Sequence, residues 1–262
     1  SIWETDEETR GFYAAHQRET DYAPLHPAET AYYDRMITIE LDKVEPMIAL
    51  PFHPSNAWTI HEFLDNAEEI LAQVEAHRDS GATEIHIVGG VHPQHDIYYY
   101  ADLIRKVKRI LPQASVKAFT AIELAYMIDK AGLTPHDGLA LLKEAGMEAI
   151  PGGGAEIFDE AIRARICPEK GSSETWLAMH REAHRIGIST NATILYGHVE
   201  NWEHRIDHLD RLRTLQDETG GFNAFIPLKY RSRHNSMSEV GEVSAVEDMR
   251  MTALARGYLD NL

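Results

Sequence analysis

From residue 84 onward, short apolar runs alternate with longer amphipathic ones, one pair in roughly every 35 residues. The runs Glu84–Val88, Val116–Thr120, Met147–Ile150, Ile188–Leu195 and Phe222–Leu228 read as strands. Between and after them lie helical patterns. Asp96–Leu111 has Tyr99, Leu103, Val107 and Ile110 at helical spacing, and Ala121–Lys130 follows the second strand. Pro135–Glu144 stops at Gly146, and Ala155–Arg165 comes next. Ser173–Arg185 is opened by Ser173 and ended by Gly187; Trp202–Glu218 is broken by Gly220-Gly221; Ala245–Leu259 is the last. Strand and helix in strict alternation imply a parallel sheet, with right-handed crossovers that place the helices outside it. A closed barrel of this kind needs eight strands, and the sequence supplies five. The expected fold is α/β: a partial (β/α) TIM-type barrel of about five parallel strands with flanking helices, preceded by a small α/β segment. Such a sheet has open edges beside Glu84–Val88 and Phe222–Leu228. With Ile85, Ile87, Phe225 and Ile226 on its faces, it is expected to expose apolar surface and to self-associate.

The first quarter of the chain breaks the pattern. Residues 1–68 are aromatic-rich, punctuated by proline, and hold 14 acidic against 4 basic residues. A change of composition falls between Thr59 and Ser80, crossed by a helix-like stretch from Ile60 to Arg78. The whole chain has a net charge of −17, which argues against nucleic acid as a partner. It has no apolar run long enough to span a membrane, and Ser1-Ile2-Trp3-Glu4 does not open a signal region. Its one cysteine, Cys167, can form neither an intrachain disulfide nor an all-cysteine metal cage. A reducing, cytoplasmic setting and a small-molecule ligand are the expectations.

Residues suited to chemistry cluster just after the strands, where parallel α/β proteins bind ligands. Gly89-Gly90, Thr120 with Glu123, Gly152-Gly153-Gly154 with Glu156, and Tyr196-Gly197-His198 all sit there. The triple-glycine loop suits a phosphate, a carboxylate or a ribose, and it also suits a tight structural turn. Asn191 and Thr193 share one face of a strand and point into a barrel interior, as a ligand contact or as a core polar pair. His180 and His184, like His204 and His208, have a spacing that can hold zinc. Neither pair has a third ligand nearby, so the expectation is solvated surface histidines and no metal site, although the stripe Trp176, Leu177, His180, His184 reads as helix packing. Cys167 has no partnered base and is read as a small core or surface residue.

Two stretches of the chain resemble two different families. From about residue 69 to 262 it resembles aminofutalosine synthase, a radical S-adenosylmethionine enzyme of the futalosine route to menaquinone. The segments that carry the likeness are 81–93, Lys117–Ala121, Ile150-Pro-Gly-Gly-Gly-Ala-Glu-Ile-Phe158, Arg165-Ile-Cys-Pro-Glu-Lys170, 190–200 and Phe225–Lys229. The sister cyclic dehypoxanthinyl futalosine synthase shares the triple glycine, and the Leu195-Tyr-Gly-His198 form favours the first family. The resemblance implies a (β/α) barrel, a [4Fe–4S] cluster, S-adenosylmethionine, and addition of an adenosyl radical to an enolpyruvyl benzoate. It implies cofactor contacts at Gly89, Gly90, Asn191 and Thr193. It implies substrate contacts at Gly152, Gly153, Gly154, Glu156, Tyr196 and His198.

Residues 1–68 resemble a fragment of aconitase-like hydratases, through Ser1-Ile2-Trp3, Asp6–Arg10, Tyr33–Leu41 and Glu45–Asn56. That stretch lies outside the hydratase cluster cysteines, so no hydratase chemistry transfers with it. The chain therefore reads as two joined pieces, 1–68 and 69–262, with the seam near 66–76. One departure from the radical enzyme is large. The three cysteines spaced C-x3-C-x2-C that hold its cluster are absent. Without three thiolates no cluster forms on this chain, so reductive cleavage has no electron source. The expected remainder is an inactive relative that binds S-adenosylmethionine weakly, a nucleoside-like ligand, or nothing.

Overall fold

A computed structural model describes residues 7–24, 47–49, 57–59, 67–89, 94–233 and 237–262. The chain divides into two compact units, Ser1–Ile60 and His61–Leu262. In the first, helix α1 (Glu7–Ala15) precedes a short antiparallel pair, β1 (Met47–Ala49) and β2 (Ala57–Thr59), in which Ile48 faces Trp58. The segments Met36–Leu41 and Glu45–Pro46 lie outside the described residues.

The second unit opens with α2 (Ala67–Ala76) and continues through β3 (Glu84–Ile87), α3 (Ile97–Ile110), β4 (Ser115–Ala118), α4 (Ala121–Lys130), α5 (Pro135–Ala145) and β5 (Met147–Ile150). Then come α6 (Glu160–Ile166), α7 (Ser173–Arg185), β6 (Ser189–Tyr196), α8 (Trp202–Thr219), β7 (Phe222–Lys229) and α9 (Ala245–Tyr258). The five strands β3–β7 lie side by side in chain order, all parallel, as an open half-barrel with helices on its outer face. The ladder slips by one residue at Val116/Lys117 and at Thr190/Asn191. Among the described residues no helix is long and apolar enough to cross a membrane.

Local chemistry fixes most boundaries. Asp96 caps α3 by accepting from Tyr99 N–H, and the stripe Ile97, Ala101, Ile104, Val107 is fully buried. Thr120 and Glu123 form a reciprocal capping box on α4. Thr134 caps α5, Pro135 occupies its first turn, and Gly146 ends it at φ +114°, a left-handed conformation. The core lies between sheet and helices, with Val116, Ile150, Ala192 and Ile194 against Leu124, Leu142, Trp176, Leu209 and Leu212.

The structure moves three sequence expectations. Helix α6 starts at Glu160 rather than Ala155, because Asp159 caps it and Glu156 takes a left-handed backbone, φ +46°. Ser172, not Ser173, caps α7; Ser173 is buried and hydrogen-bonds the Glu160 carboxylate through N–H and Oγ, at 2.8 and 2.6 Å. The largest correction concerns the histidines. His180 and His208 are fully buried and His184 is mostly so, whereas His204 caps α8. Their spacing serves packing: His180 stacks on Trp176 and His208 on Phe158, at 3.7 and 3.8 Å between ring centres.

Candidate functional site

The site is built where the parallel strands end. One carboxylate ties the ends of β3 and β4: Glu123 Oε1 accepts from Gly89 N–H at 3.0 Å, and Oε2 accepts from Thr120 N–H and Oγ1, both at 2.7 Å. Beside it, Phe119 holds φ +61°, an uncommon conformation for a bulky residue. Gly90 lies outside the described residues.

The triple-glycine loop after β5 is held through its carbonyls. Gly152 C=O accepts from Thr193 Oγ1 at 2.5 Å, and Gly153 C=O from Trp176 Nε1 at 3.1 Å. Gly154, Ala155 and Ile157 C=O all accept from the Arg163 guanidinium, at 3.2, 2.6 and 3.1 Å. Arg163 is only 2% exposed, and its remaining donors go to the Lys170 and Gly171 carbonyls. The close approach that glycine permits is made here to the protein itself. A Cβ on Gly152 would lie 2.6 Å from Thr193 Cγ2, and one on Gly154, at φ +85°, 2.8 Å from Ile122 Cγ1. Among the described residues the N–H groups of the three glycines meet no acceptor, so they are the loop's free donors.

Next to the loop is a cavity of about 240 Å³ lined by Glu156, Cys167, Lys170, Leu195, Tyr230 and Met237. Glu156 accepts from Lys170 Nζ at 2.5 Å, and its C=O accepts from Leu195 N–H at 2.8 Å. Burial draws the Lys170 ammonium down, but the Glu156 carboxylate outweighs it and holds the pKa above its ordinary value. Burial pushes the Cys167 thiol up, so it is a neutral wall group and not a nucleophile.

Strand alternation sorts the β6 residues. Asn191, Thr193 and Leu195 share the inner face, beside Ala224, Ile226 and Leu228 of β7. Thr190 and Tyr196 face the helices. The Tyr196 hydroxyl donates to Asp248 Oδ1 and the Arg205 guanidinium lies 5.3 Å from its ring centre. His198 is turned into its own loop, Nε2 to Leu195 C=O at 3.0 Å and Nδ1 within 2.8 Å of Val199 N and 2.9 Å of Glu200 Oε2. Behind it, burial would raise the Glu200 pKa, but hydrogen bonds from His198 and the Gly197 N–H bring it to about 2. Glu200 also pairs with buried Arg205 at 2.7 Å.

The structure therefore gathers Gly152–Gly154, Glu156, Asn191 and Thr193 around one strand-end corner, with Gly89 tied to the neighbouring one through Glu123. Tyr196 and His198 stand apart, as parts of the wall behind β6. Reading the sequence did not single out Arg163 and Lys170 as site residues. No periodic signal links them to the loop they serve, and only the fold brings Lys170 back to Glu156.

Residues 52–212 match the radical SAM superfamily. The chain belongs to it. Residues 1–98 match the aconitase family (aconitate hydratase), overlapping the first match. The chain is 48% identical over 200 residues to an aminodeoxyfutalosine synthase of Thermus thermophilus, covering 75% of this chain and 54% of that one. It is 40% identical to an aminodeoxyfutalosine synthase of Streptomyces coelicolor, over 74% of this chain and 53% of that one. It is 37% identical to a 5-amino-6-(D-ribitylamino)uracil–L-tyrosine 4-hydroxyphenyl transferase of Methanothermobacter thermautotrophicus, over 74% and 55%. The chain thus spans about half the length of these curated relatives. A solved methylornithine synthase shares the fold, with a TM-score of 0.52 at 15% identity, over 78% of this chain and 55% of that one.

Radical SAM proteins use S-adenosylmethionine and a [4Fe–4S] cluster, and the two fit this chain differently. A cluster needs three or four thiolates, and this sequence has a single cysteine, buried with its thiol held neutral. The residues present do not fit a cluster. What a polar small molecule would meet at the strand-end corner is a cavity lined by the Glu156 carboxylate and the Lys170 ammonium, paired with each other.

Proposed function

We infer that this chain is the strand-end half of an aminofutalosine-synthase-type radical SAM barrel, and that its corner binds the nucleoside part of S-adenosylmethionine without cleaving it. The observation that supports binding is the cavity beside the loop, lined by the Glu156–Lys170 ion pair, while the loop's three glycine carbonyls are held by Thr193, Trp176 and Arg163. In this reading Glu156 and Lys170 are the polar wall, Asn191 and Thr193 lie on the inner face of β6, and Leu195 and Tyr230 complete the cavity. Arg163 positions the loop. The family's radical addition to an enolpyruvyl benzoate belongs to a protein with cluster thiolates, and no step of it is assigned to these residues.

Binding is expected to be weak, because no cluster iron holds the methionine end of the ligand. Calorimetry with S-adenosylmethionine and with adenosine should give dissociation constants weaker than the low micromolar range, and similar to each other. Anaerobic treatment with iron and sulfide should leave no stable four-iron charge-transfer absorbance and produce no 5′-deoxyadenosine. A stable cluster with cleavage of S-adenosylmethionine would overturn the reading of this chain as non-cleaving. Absence of binding by both ligands at millimolar concentration would overturn the assignment of the corner.

A further inference from the structure

One buried side chain holds both halves of the cavity's polar wall. Arg163 of α6 engages every one of its N–H groups with main-chain carbonyls. Nη1 donates to Ala155 and Ile157 C=O at 2.6 and 3.1 Å, one on each side of Glu156. Leu195 N–H takes the carbonyl between them, that of Glu156 itself, at 2.8 Å. Three successive carbonyls are therefore fixed, around a residue whose φ of +46° is uncommon for anything but glycine. Toward the second loop, Nε and Nη2 both donate to Gly171 C=O, at 3.1 and 2.9 Å, and Nη2 lies 3.3 Å from Lys170 C=O. Gly171 stands at φ +65° and ψ −170°, a conformation essentially confined to glycine, and this turn brings both carbonyls to the same guanidinium. Among the described residues no carboxylate lies within ion-pair distance of Arg163. What the group supplies is a planar fork that reaches two loops at once, which an ammonium does not offer. From those two loops Lys170 Nζ and Glu156 Oε1 meet at 2.5 Å.

We propose that Arg163 is the positioning residue of this cavity, setting Glu156 and Lys170 against each other by tying both of their backbones to one guanidinium. The proposal deepens the ligand site inferred above and rests on that reading for its part in binding. Among the described residues Arg163 makes no hydrogen bond to either side chain; it acts on them through the main chain. An ion pair carried by free loops must order both backbones each time it forms. Here Arg163 has already ordered them. A ligand then meets a carboxylate and an ammonium at a fixed separation rather than two independent charges. Losing Arg163 changes where those two charges stand, not which charges are present.

The Lys170 titration, followed by NMR of its side-chain carbons in the full chain, tests this without a ligand. In the wild type Lys170 should titrate above the ordinary lysine range because Glu156 stands beside it, and Glu156→Gln should bring it down. Arg163→Lys should bring it down as far, with Glu156 still present and circular dichroism unchanged. Gly171→Ala is a second variant, usable if Arg163→Lys fails to fold. Nothing lies within 4 Å of its added carbon, so it disturbs only the turn that presents the Lys170 and Gly171 carbonyls, and it should release Lys170 in the same way. Calorimetry with adenosine and with S-adenosylmethionine reads the effect on the site. Both variants and Glu156→Gln should weaken binding about two- to fivefold, the worth of a partly exposed ion pair. A Lys170 titration unmoved by Arg163→Lys and Gly171→Ala would overturn the proposal. So would a released Lys170 with unchanged affinities, since Arg163 would then be a structural tie alone. A wild type that binds neither ligand would overturn the reading of the corner, and the Lys170 titration would then decide the proposal by itself.

Discussion

Strands β6 and β7 are neighbours of equal length, paired in parallel along most of that length, yet only one of them is core. β6 reads Ser-Thr-Asn-Ala-Thr-Ile-Leu-Tyr and is largely buried; β7 reads Phe-Asn-Ala-Phe-Ile-Pro-Leu-Lys, is no less apolar, and is half open to water. Hydrophobicity does not explain the difference. β6 has a strand on each side and α7 and α8 behind it, and Thr190 and Thr193 find hydrogen-bond partners in α7 and in the glycine loop. Among the described residues β7 has a strand on one side only. Burial at a given strand is set by what the topology places around it.

The largest expected effect comes from breaking the buried side. Trp176 is fully buried, stacks on His180, and donates to Gly153 C=O. Trp176→Ala should destabilise the barrel unit by about 3–5 kcal/mol, the range for a large aromatic lost from a core. Urea unfolding followed by circular dichroism measures it. It should also weaken any ligand at the glycine loop, whereas a conservative Trp176→Phe should restore packing and leave Gly153 C=O without its donor.

Next comes the loop itself. Gly152→Ala would force a Cβ into Thr193 Cγ2 and the Asn191 carbonyl, at 2.6 and 2.8 Å. The expected cost is about 1–3 kcal/mol, typical of overpacking against backbone. Gly241→Ala serves as the control: its φ is +78° but nothing lies within 4 Å of the added carbon, so strain alone acts there. If the two cost the same, the tight fit of β5 on β6 is not what requires glycine.

Acid should separate the strands further. Thr219 Oγ1 donates to Leu215 C=O and so accepts from His184 Nδ1–H at 2.6 Å; His184 Nε2 is then the acceptor for Thr190 Oγ1–H at 2.7 Å. Thr190 Oγ1 in turn accepts from His180 Nδ1–H at 2.8 Å, which leaves His180 Nε2 a bare buried acceptor. The chain of bonds works only with neutral rings. Burial holds His184 at about 4 despite the Glu218 charge, lowers His180 well below the ordinary value, and takes His208 to about 3. The unfolded chain binds these protons near pH 6.5 and the folded chain does not, so stability is full above 6.5 and falls as the pH drops toward 4. Each group adds a slope of about 1.4 kcal/mol per pH unit within its window. Unfolding midpoints between pH 7.5 and 4.5 would show the fall. His184→Gln, which keeps a donor and an acceptor, should remove one group's share of the slope and leave that of His180 and His208.

The contrast between β6 and β7 also shows what was legible in the sequence. The strand–helix alternation was, because amphipathic periods and the caps at Asp96, Thr120, Thr134 and Gly146 are local signals. So was the clustering of Gly152–Gly154 with Glu156 at a strand end. The histidines were misplaced because i and i+4 on a helix says which residues share a face and not what that face meets. Phe158 supplies the stacking partner of His208 and Thr190 the hydrogen bonds of His180 and His184, from other elements, while Trp176 stacks on His180 from one turn earlier in α7 itself. Arg163 was missed for a related reason: its partners are main-chain carbonyls, which leave no trace in residue identity.

The smallest expected effect sharpens the comparison most. Ile194 of β6 and Leu228 of β7 are both aliphatic strand residues on paired strands, one fully buried and the other 46% exposed. Replacing Ile194 by serine removes a buried aliphatic group and adds a hydroxyl to an apolar layer, at a cost of several kcal/mol. Replacing Leu228 by serine removes a side chain that water already reaches, and surface changes of that kind stay within about 0.5 kcal/mol. This holds only at dilutions where the chain is a monomer. If association between copies were to cover β7, the same Leu228→Ser substitution would lower the midpoint more, and the gap would widen with protein concentration by mass action. Unfolding midpoints of the two variants at two protein concentrations, a hundredfold apart, separate the possibilities. A constant small effect of Leu228→Ser leaves β7 bare at all concentrations. A constant large effect means that this chain's own residues cover the edge, and the difference between the two strands disappears.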